Sequence, residues 1–177
     1  RTVDQTLFFK NLVMQTPGSE IALKGELTPT RESAALDLLI ESPGIDLTEV
    51  AAMTGLERLS AGKISGQVRV SGVVSNLNWE ADLSLPPARL QAAGNISGLL
   101  LGRPEIDLAA SVNGLNPAAL PLAGNPAPSG DLNATVRARF AAAAPLPAGH
   151  MILYLQPSRL AGTSLHSGSV HLEFDGG

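Results

Sequence analysis

The chain has 177 residues, a net charge of −4 and an apolar fraction of 44%, whereas charged residues make up only 16%. Globular domains usually carry about 25% charged residues, so this composition excludes a disordered tail. The negative charge argues against a nucleic-acid partner. Cysteine is absent, which excludes disulfides, thiolate zinc sites and cysteine nucleophiles. Aromatic residues reach only 3%, so the apolar contacts must be mainly aliphatic.

The sequence contains no apolar run of the roughly 18 residues that a membrane-spanning helix needs. It begins at Arg1 instead of a methionine and ends at Gly176 and Gly177. We therefore expect a segment of a longer protein, whose membrane anchor and targeting signals would lie outside this sequence.

Strands are predicted by an alternation of apolar and polar residues with a period of two. In the clearest case, Ile64, Val68 and Val70 alternate with Ser65 and Arg69. About ten such segments are separated by turn residues. In chain order they are 7–14, 21–27, 36–40, 64–70, 77–85, 90–96, 106–112, 132–140, 151–155 and 170–174. The first segment is almost wholly apolar, and we expect it to be covered on both sides.

Turns are predicted where proline and glycine cluster between the strands. The clusters lie at 16–18, 42–44, 86–87, 102–104, 124–126 and 145–147. One short helix is predicted after the third strand. Asp46 is a good N-cap, Glu49 completes a capping box three residues later, and Gly55 ends the helix.

The strands follow a repeat of about seventy residues. Pro17, Pro87 and Pro157 are spaced by seventy residues, and the helix cap Asp46 is matched by Asn116 at the same spacing. Strands with alternating residues align with one another at any even shift, but this does not explain why prolines and helix caps recur at the same spacing of seventy residues. The spacing therefore indicates a true repeat.

These features predict an all-β fold: an elongated, curled antiparallel sheet with one or two short helices. The chain would be a single fragment of a repetitive protein, with approximate units at 1–56, 57–126 and 127–177, the last one partial. The apolar sheet face must be covered by a sandwich, by a closed barrel, or by curling lengthwise into an open apolar trough. Repetition favours the trough, because stacked units extend it. The predicted lining residues are Ile64, Val68, Val70, Leu77, Leu83, Leu85, Ile106, Leu108, Val112, Leu132, Val136 and Phe140.

Four segments carry a resemblance to a known family. A strand led by glycine at 62–72 is followed by an asparagine-containing strand at 76–81, and segments 36–47 and 106–117 match one another. They resemble the repeats of the AsmA and TamB-like proteins of Gram-negative bacteria, which share a pattern of small, aliphatic and turn residues without an invariant catalytic signature. The resemblance covers most of the chain.

The resemblance implies both a fold and a function. Proteins of this family are anchored in the inner membrane and cross the periplasm as long β-sheet troughs with an apolar interior. They are implicated in carrying phospholipid to the outer membrane, and TamB itself in assembling some outer-membrane proteins. For this chain it implies a periplasmic, non-enzymatic segment of an envelope-biogenesis protein, without a cofactor, whose groove shields lipid acyl chains.

The same features leave two other functions open. A scaffold for outer-membrane or autotransporter proteins would accept client strands at exposed sheet edges, and chains would also associate with one another through those edges. A structural β-repeat array, such as a surface stalk or a carbohydrate-binding β-solenoid, would have a filled core and no groove.

Candidate catalytic and metal-binding residues are few, and we predict that none acts in either role. His166 and His171 are five residues apart, which places them on opposite faces of a strand and argues against a shared metal ion. His150 is expected to be a surface residue like them. Asp37 and Asp107 hold equivalent repeat positions, and we expect them to face solvent from amphipathic strands.

Arginines also recur along the chain. Arg69 and Arg137 are spaced by 68 residues, and Arg89 and Arg159 by seventy. Such arginines would contact lipid phosphates at a groove rim or, as we prefer, keep an exposed face soluble. Trp79 belongs to an apolar row and is expected to pack within it.

Overall fold

The structure is a computed structural model that describes residues 6–30, 33–54, 62–119, 128–141 and 148–175. Most of these residues are extended. The strands are β1 (Leu7–Gln15), β2 (Glu20–Pro29), β3 (Ala34–Asp46), β4 (Lys63–Val73), β5 (Asn76–Leu85), β6 (Ala88–Ser97), β7 (Glu105–Leu115), β8 (Gly130–Ala141), β9 (Ala148–Leu155), β10 (Ser158–Leu160), β11 (Thr163–Leu165) and β12 (Gly168–Phe174). The described helices are α1 (Leu47–Thr54) and two 3₁₀ turns, Leu99–Leu101 and Pro117–Ala119.

Within these ranges the twelve strands form one antiparallel sheet. β1 to β8 lie side by side in chain order, each hydrogen-bonded to the next. β9 and β10 both pair with β8, while β12 pairs with β9 and β11 with β10. The sheet curls without closing, since β1 pairs with β2 alone among the described strands. The predicted all-β fold with a curled antiparallel sheet and short helices is confirmed.

The helix α1 begins where the sequence predicts it. Asp46 is its N-cap, because Asp46 Oδ1 accepts a hydrogen bond from the backbone N–H of Thr48 at 2.8 Å. Leu47 is buried at 9% exposure, and its N–H donates to the carbonyl oxygen of Gly62 at 2.9 Å. The predicted end at Gly55 lies outside the described residues.

The predicted capping box is wrong, because Glu49 binds a distant turn instead of the N-cap residue. Its carboxylate accepts hydrogen bonds from the Thr16 hydroxyl, from the Gly18 N–H at 2.9 Å and from the Ser19 hydroxyl at 2.5 Å. The N–H of Asp46 donates to Ser19 Oγ at 2.9 Å, so this serine takes the place that a capping box gives to Glu49. We call this set of contacts the Glu49 clasp.

The proline–glycine cluster at 42–44 is a bulge and not the predicted turn. β3 continues through it to Asp46, and its register against β4 shifts between Ser42 and Ile45. Proline has no N–H to donate, and a bulge is one of the few places in a sheet that tolerates it. Ser42 Oγ donates to the carbonyl oxygen of Glu20 at 2.6 Å and fixes the bulge to β2.

Of the other five predicted turns, three are confirmed and two lie on residues that the structure does not describe. The clusters at 16–18, 86–87 and 102–104 connect successive strands, as predicted. The clusters at 124–126 and 145–147 lie outside the described residues.

Some of the positions that are seventy residues apart in the sequence have the same structural role, and others do not. Pro17 and Pro87 lie in the β1–β2 and β5–β6 connections. Pro157 lies between β9 and β10, which run along the same neighbour, so it interrupts an extended segment and does not reverse the chain. A second bulge lies between Val112 and Leu115 of β7, seventy residues after the bulge of β3. The division into three units stays a prediction.

The register sorts the residues into two faces, because residues directly opposite each other on neighbouring strands point to the same side. One row runs through Leu38, Val70, Trp79, Gly94, Leu108, Ala138, Met151 and Leu172. The adjacent row runs through Leu39, Arg69, Glu80, Ala93, Ala109, Arg137, Ile152 and His171. We call the side of the first row the apolar face and the side of the second row the polar face.

The edge strand β1 contradicts the prediction that both of its sides are covered. Phe8 and Met14 are 68% and 65% exposed. Phe8 lies opposite Glu26 on the polar face, and Leu7 lies opposite Leu27 on the apolar face. Among the described residues, β1 therefore presents apolar side chains on both faces beside an edge with no strand partner.

Candidate binding surfaces of the sheet

All twelve side chains predicted to line a trough lie on the apolar face, because the register joins their rows from β4 to β8. Leu77 is buried at 8% exposure, and the others are half-buried. The face continues beyond them on both sides, through Leu23, Leu36 and Ile40 in one direction and through Leu153 and Leu172 in the other.

No second layer covers the apolar face among the described residues. The buried aliphatic side chains among the described residues are Leu47 of α1 and Leu77, Ala88, Ala134 and Ala138 of the sheet, and none of the described side chains falls below 2% exposure. A sheet in a globular domain normally packs its apolar face against helices or a second sheet. The apolar face is therefore an open surface, and the predicted trough with apolar walls is not shown.

Trp79 packs within the apolar face, above a glycine. It lies directly opposite Gly94, and a Cβ on Gly94 would collide with the carbonyl oxygen of Asp107 and come within 2.8 Å of Trp79 Nε1. The glycine therefore makes room both for the neighbouring backbone of β7 and for the indole. Near the other end of the face, the rings of Phe140 and Phe174 lie 5.8 Å apart. Aromatic rings are otherwise sparse on this face, which is mainly aliphatic.

Charged residues of the polar face form ion pairs between neighbouring strands. Arg69 donates two hydrogen bonds to Asp37, at 3.1 and 2.9 Å, and Arg89 donates two to Asp82, at 2.9 and 2.6 Å. The hydrogen bonds from Arg89 lower the pKa of the Asp82 carboxyl, and those to Asp37 raise the pKa of the Arg69 guanidinium. Both pairs are exposed, so they fix the charge pattern of the face and contribute little to stability.

The other residues considered for catalysis or metal binding are Asp107 and the histidines, and they also lie in ion pairs or on the exposed surface. Asp107 lies 3.8 Å from Nε of Arg139, whose Nη2 donates to Glu105 at 3.2 Å. In the described ranges no group of three or more histidines, aspartates and glutamates is arranged to hold a metal ion. The exposed residues include the three histidines, His150, His166 and His171.

A cavity of about 750 Å³ lies in the middle of the polar face. Its floor includes Ala93 and Ala109, which lie opposite each other on β6 and β7. The neighbouring positions of the same row carry Glu80 on β5 and Arg137 on β8. The depression exists because the two central strands carry methyl groups where their neighbours carry long charged side chains. Further side chains along the cavity are Gln67, Arg69, Asp82, Gln91, Ser111 and Thr135.

The cavity is not predicted by the alternation of apolar and polar residues, although its residues lie on predicted strands. Ala93 and Ala109 interrupt rows that are otherwise polar, and this is the signal that the sequence carries. The signal becomes visible only when the register of β6 against β7 sets the two alanines side by side. Sequence reasoning placed Arg137 on an exposed face but not beside a cavity.

Comparison of the chain with protein-family models, with curated proteins and with solved structures finds no match in any of the three. Across the described ranges, no helix has both the length and the apolar character needed to cross a bilayer.

Proposed function

We propose that the apolar face binds the acyl chains of phospholipids and shields them from water. The chain would be a periplasmic segment of an inner-membrane-anchored protein that supports lipid transport between the two membranes of a Gram-negative bacterium. The observation that supports this proposal is the continuity of the apolar face, whose rows stay in register from strand to strand without a covering layer among the described residues. The resemblance to AsmA and TamB-like proteins supports it from the sequence.

The hydrophobic effect favours lipid on such a face. Removing one methylene group from water is worth about 0.8 kcal/mol, so a sixteen-carbon chain gains on the order of 12 kcal/mol when it is fully covered. An open sheet covers one side of the acyl chain, so the gain on a single sheet is smaller. A face that is continuous across many strands lets a chain move from row to row without full exposure to water.

The arrangement of charges agrees with lipid that keeps its headgroup in solvent. Arg69 and Arg137 lie in the middle of their strands on the polar face, away from the apolar rows. Arg69 is also held by Asp37. These arginines are therefore badly placed to bind phosphates at a rim of the apolar face, and the proposal does not require them to do so.

Single-cysteine variants test which face meets lipid, since the chain has no cysteine of its own. Neighbouring residues give matched pairs on opposite faces: Val68 with Gln67, and Val136 with Arg137. A polarity-sensitive fluorophore on Val68→Cys or Val136→Cys should shift to the blue when lysophospholipid is added. The same fluorophore on Gln67→Cys or Arg137→Cys should not shift.

Native mass spectrometry gives a second readout. Lipid adducts should accompany the purified protein, should be lost in Val68→Asp and Val136→Asp, and should persist in Arg69→Ala. The proposal fails when the unmodified protein carries no acyl-chain adduct and both apolar-face substitutions leave the spectrum unchanged.

A second function, as a scaffold that accepts strands of client proteins, is favoured by β1. Its outer edge has no strand partner among the described strands, and its apolar side chains are exposed on both faces. A photoreactive amino acid in place of Phe8 should then cross-link to polypeptides during outer-membrane protein assembly. Cross-links to lipid from Val68, without any to polypeptide from Phe8, would favour the first function over the second.

A further inference from the structure

We infer that the cavity of the polar face binds a short acidic oligosaccharide, with Arg137 contacting its acid group. The site lies on the opposite side of the sheet from the proposed lipid-binding face. It therefore stands or falls independently of the proposed function.

The shape of the cavity fits a small extended ligand. Glu80, Ala93, Ala109 and Arg137 are successive partners across four strands. Neighbouring strands are about 4.8 Å apart, so the backbone positions of the two charged residues are separated by about 14 Å, with two methyl groups between them. The cavity volume of about 750 Å³ lies in the usual range for small-molecule sites.

The charges along the cavity leave one cation without a partner. Arg69 is held by Asp37, and Asp82 is held by Arg89. Among the described residues, no carboxylate lies within ion-pair distance of Arg137. Its planar guanidinium can donate two parallel hydrogen bonds, which suits a carboxylate or a phosphate group. The ligand should therefore be acidic.

The remaining polar groups suit a ligand rich in hydroxyl groups. The amide of Gln67 and the hydroxyls of Ser111 and Thr135 lie along the cavity and form no hydrogen bond within the described part of the chain. Each of these groups both donates and accepts, as sugar hydroxyls do. The Glu80 carboxylate adds an acceptor on the opposite wall.

A peptide is a weaker match to this surface. The backbone groups beneath the cavity are already hydrogen-bonded between the strands from β4 to β8. A peptide lying on the face would therefore find side chains only and could not pair as a strand. Side-chain amides, hydroxyls and carboxylates around a floor of methyl groups favour a ring-shaped, polyhydroxylated ligand.

Isothermal titration calorimetry of the full chain with tri-galacturonic acid tests the inference, with neutral maltotriose and an acidic tripeptide as comparisons. Tri-galacturonic acid should bind, and the two comparison ligands should bind at least about tenfold more weakly. Arg137→Ala should weaken binding by about ten- to a hundredfold, because a charge-assisted hydrogen-bonded contact is lost. Ala109→Gln should abolish binding, since its longer side chain fills the floor of the cavity and leaves the charges unchanged.

Arg159→Ala is the matched control, because Arg159 is an exposed arginine of the sheet that does not line the cavity. This variant should bind tri-galacturonic acid like the unmodified protein. The inference is overturned when the unmodified protein does not bind it, when Arg159→Ala is as harmful as Arg137→Ala, or when the tripeptide binds more tightly. Circular dichroism of each variant checks that the strands have formed. When Ala109→Gln does not fold, the comparison of Arg137→Ala with Arg159→Ala tests the inference without it.

Discussion

Single residues decide where neighbouring backbones of this sheet approach one another. Gly66 in β4 has φ of +143°, and a Cβ there would collide with the carbonyl oxygen of Asp82 in β5. Gly25 in β2 has φ of +132° and is as close to the carbonyl oxygen of Asp37 in β3. Other residues rarely adopt this conformation, so both positions require glycine where the neighbouring carbonyl comes close.

Replacing Gly66 with alanine should therefore destabilise the fold by about 2 kcal/mol or more, through backbone strain and a direct collision. Urea denaturation followed by circular dichroism measures the change. Gly168→Ala in β12 is the control, since a Cβ at Gly168 would meet nothing within 4 Å and its φ is not positive. Equal losses in the two variants would contradict this account.

Asn133 is a residue whose role the sequence did not reveal. Its Oδ1 accepts a hydrogen bond from the N–H of Gly114 at 2.9 Å, inside the bulge of β7. Its Nδ2 donates to the carbonyl oxygen of Pro157 at 3.0 Å, between β9 and β10. One side chain thus connects the bulge of β7, on one side of β8, to the interruption between β9 and β10 on its other side. An asparagine in a strand carries no sign of such contacts until the register is known.

At the scale of elements, α1 depends on tertiary contacts. It has eight residues, which is too short for a helix to be stable alone. The Glu49 clasp joins it to the β1–β2 turn. The hydroxyl of Ser19, followed by that of Thr16, lowers the pKa of Glu49 below its ordinary value of 4.5.

The clasp predicts an acid-dependent loss of stability. Folding lowers the pKa of Glu49, so its carboxylate takes up a proton more readily in the unfolded chain than in the folded one. The folded state is therefore destabilised as the pH falls from the ordinary pKa of Glu49 towards its lower folded-state pKa. Glu49→Gln should lower Tm at pH 7 by a few degrees and should reduce the loss of Tm between about pH 5 and pH 3. Glu26→Gln in β2 is the control. A Glu49→Gln variant with an unchanged Tm-against-pH curve would refute the role of the clasp.

The elements differ in how well the sequence predicts them. Strands such as 64–70 are predictable, because apolar and polar residues alternate along a strand that has one apolar and one polar face. The cluster at 42–44 is not, since proline and glycine suit a turn and a bulge equally, and the hydrogen bond between Ser42 and Glu20 decides between them. The cavity at Ala93 and Ala109 needs the pairing of two strands, which no local pattern contains.

For the whole molecule, the main feature is a large sheet whose apolar face lacks a covering layer within the described ranges. Its edge strand β1 adds exposed apolar residues on both faces, and the backbone groups along its outer side pair with no other described strand. Natural proteins usually protect such an edge with charges, bulges, prolines or a cover. β1 has one exposed lysine, Lys10, at a bulge between Phe9 and Leu12, and its apolar residues on both sides of this bulge stay exposed. The molecule should therefore associate through β1 when no other partner is present.

Phe8→Lys should reduce this association, because a charged side chain at a sheet edge opposes pairing with another strand. Sedimentation velocity at several concentrations should show less oligomer for Phe8→Lys than for the unmodified chain. Glu173→Lys in β12 changes the charge on the last strand and is the control. The edge does not drive association when both variants sediment like the unmodified protein.

The two edges of the sheet are built differently, because Pro157 interrupts the last part of it. β1 offers nine residues of one strand, whereas the opposite edge is divided between the three residues of β11 and the seven residues of β12. A long partner strand can align with the first edge but must break or end at the second. The two edges of the described sheet therefore differ in what they offer: a free strand should dock along β1, following its bulge between Phe9 and Leu12, more readily than across the divided edge.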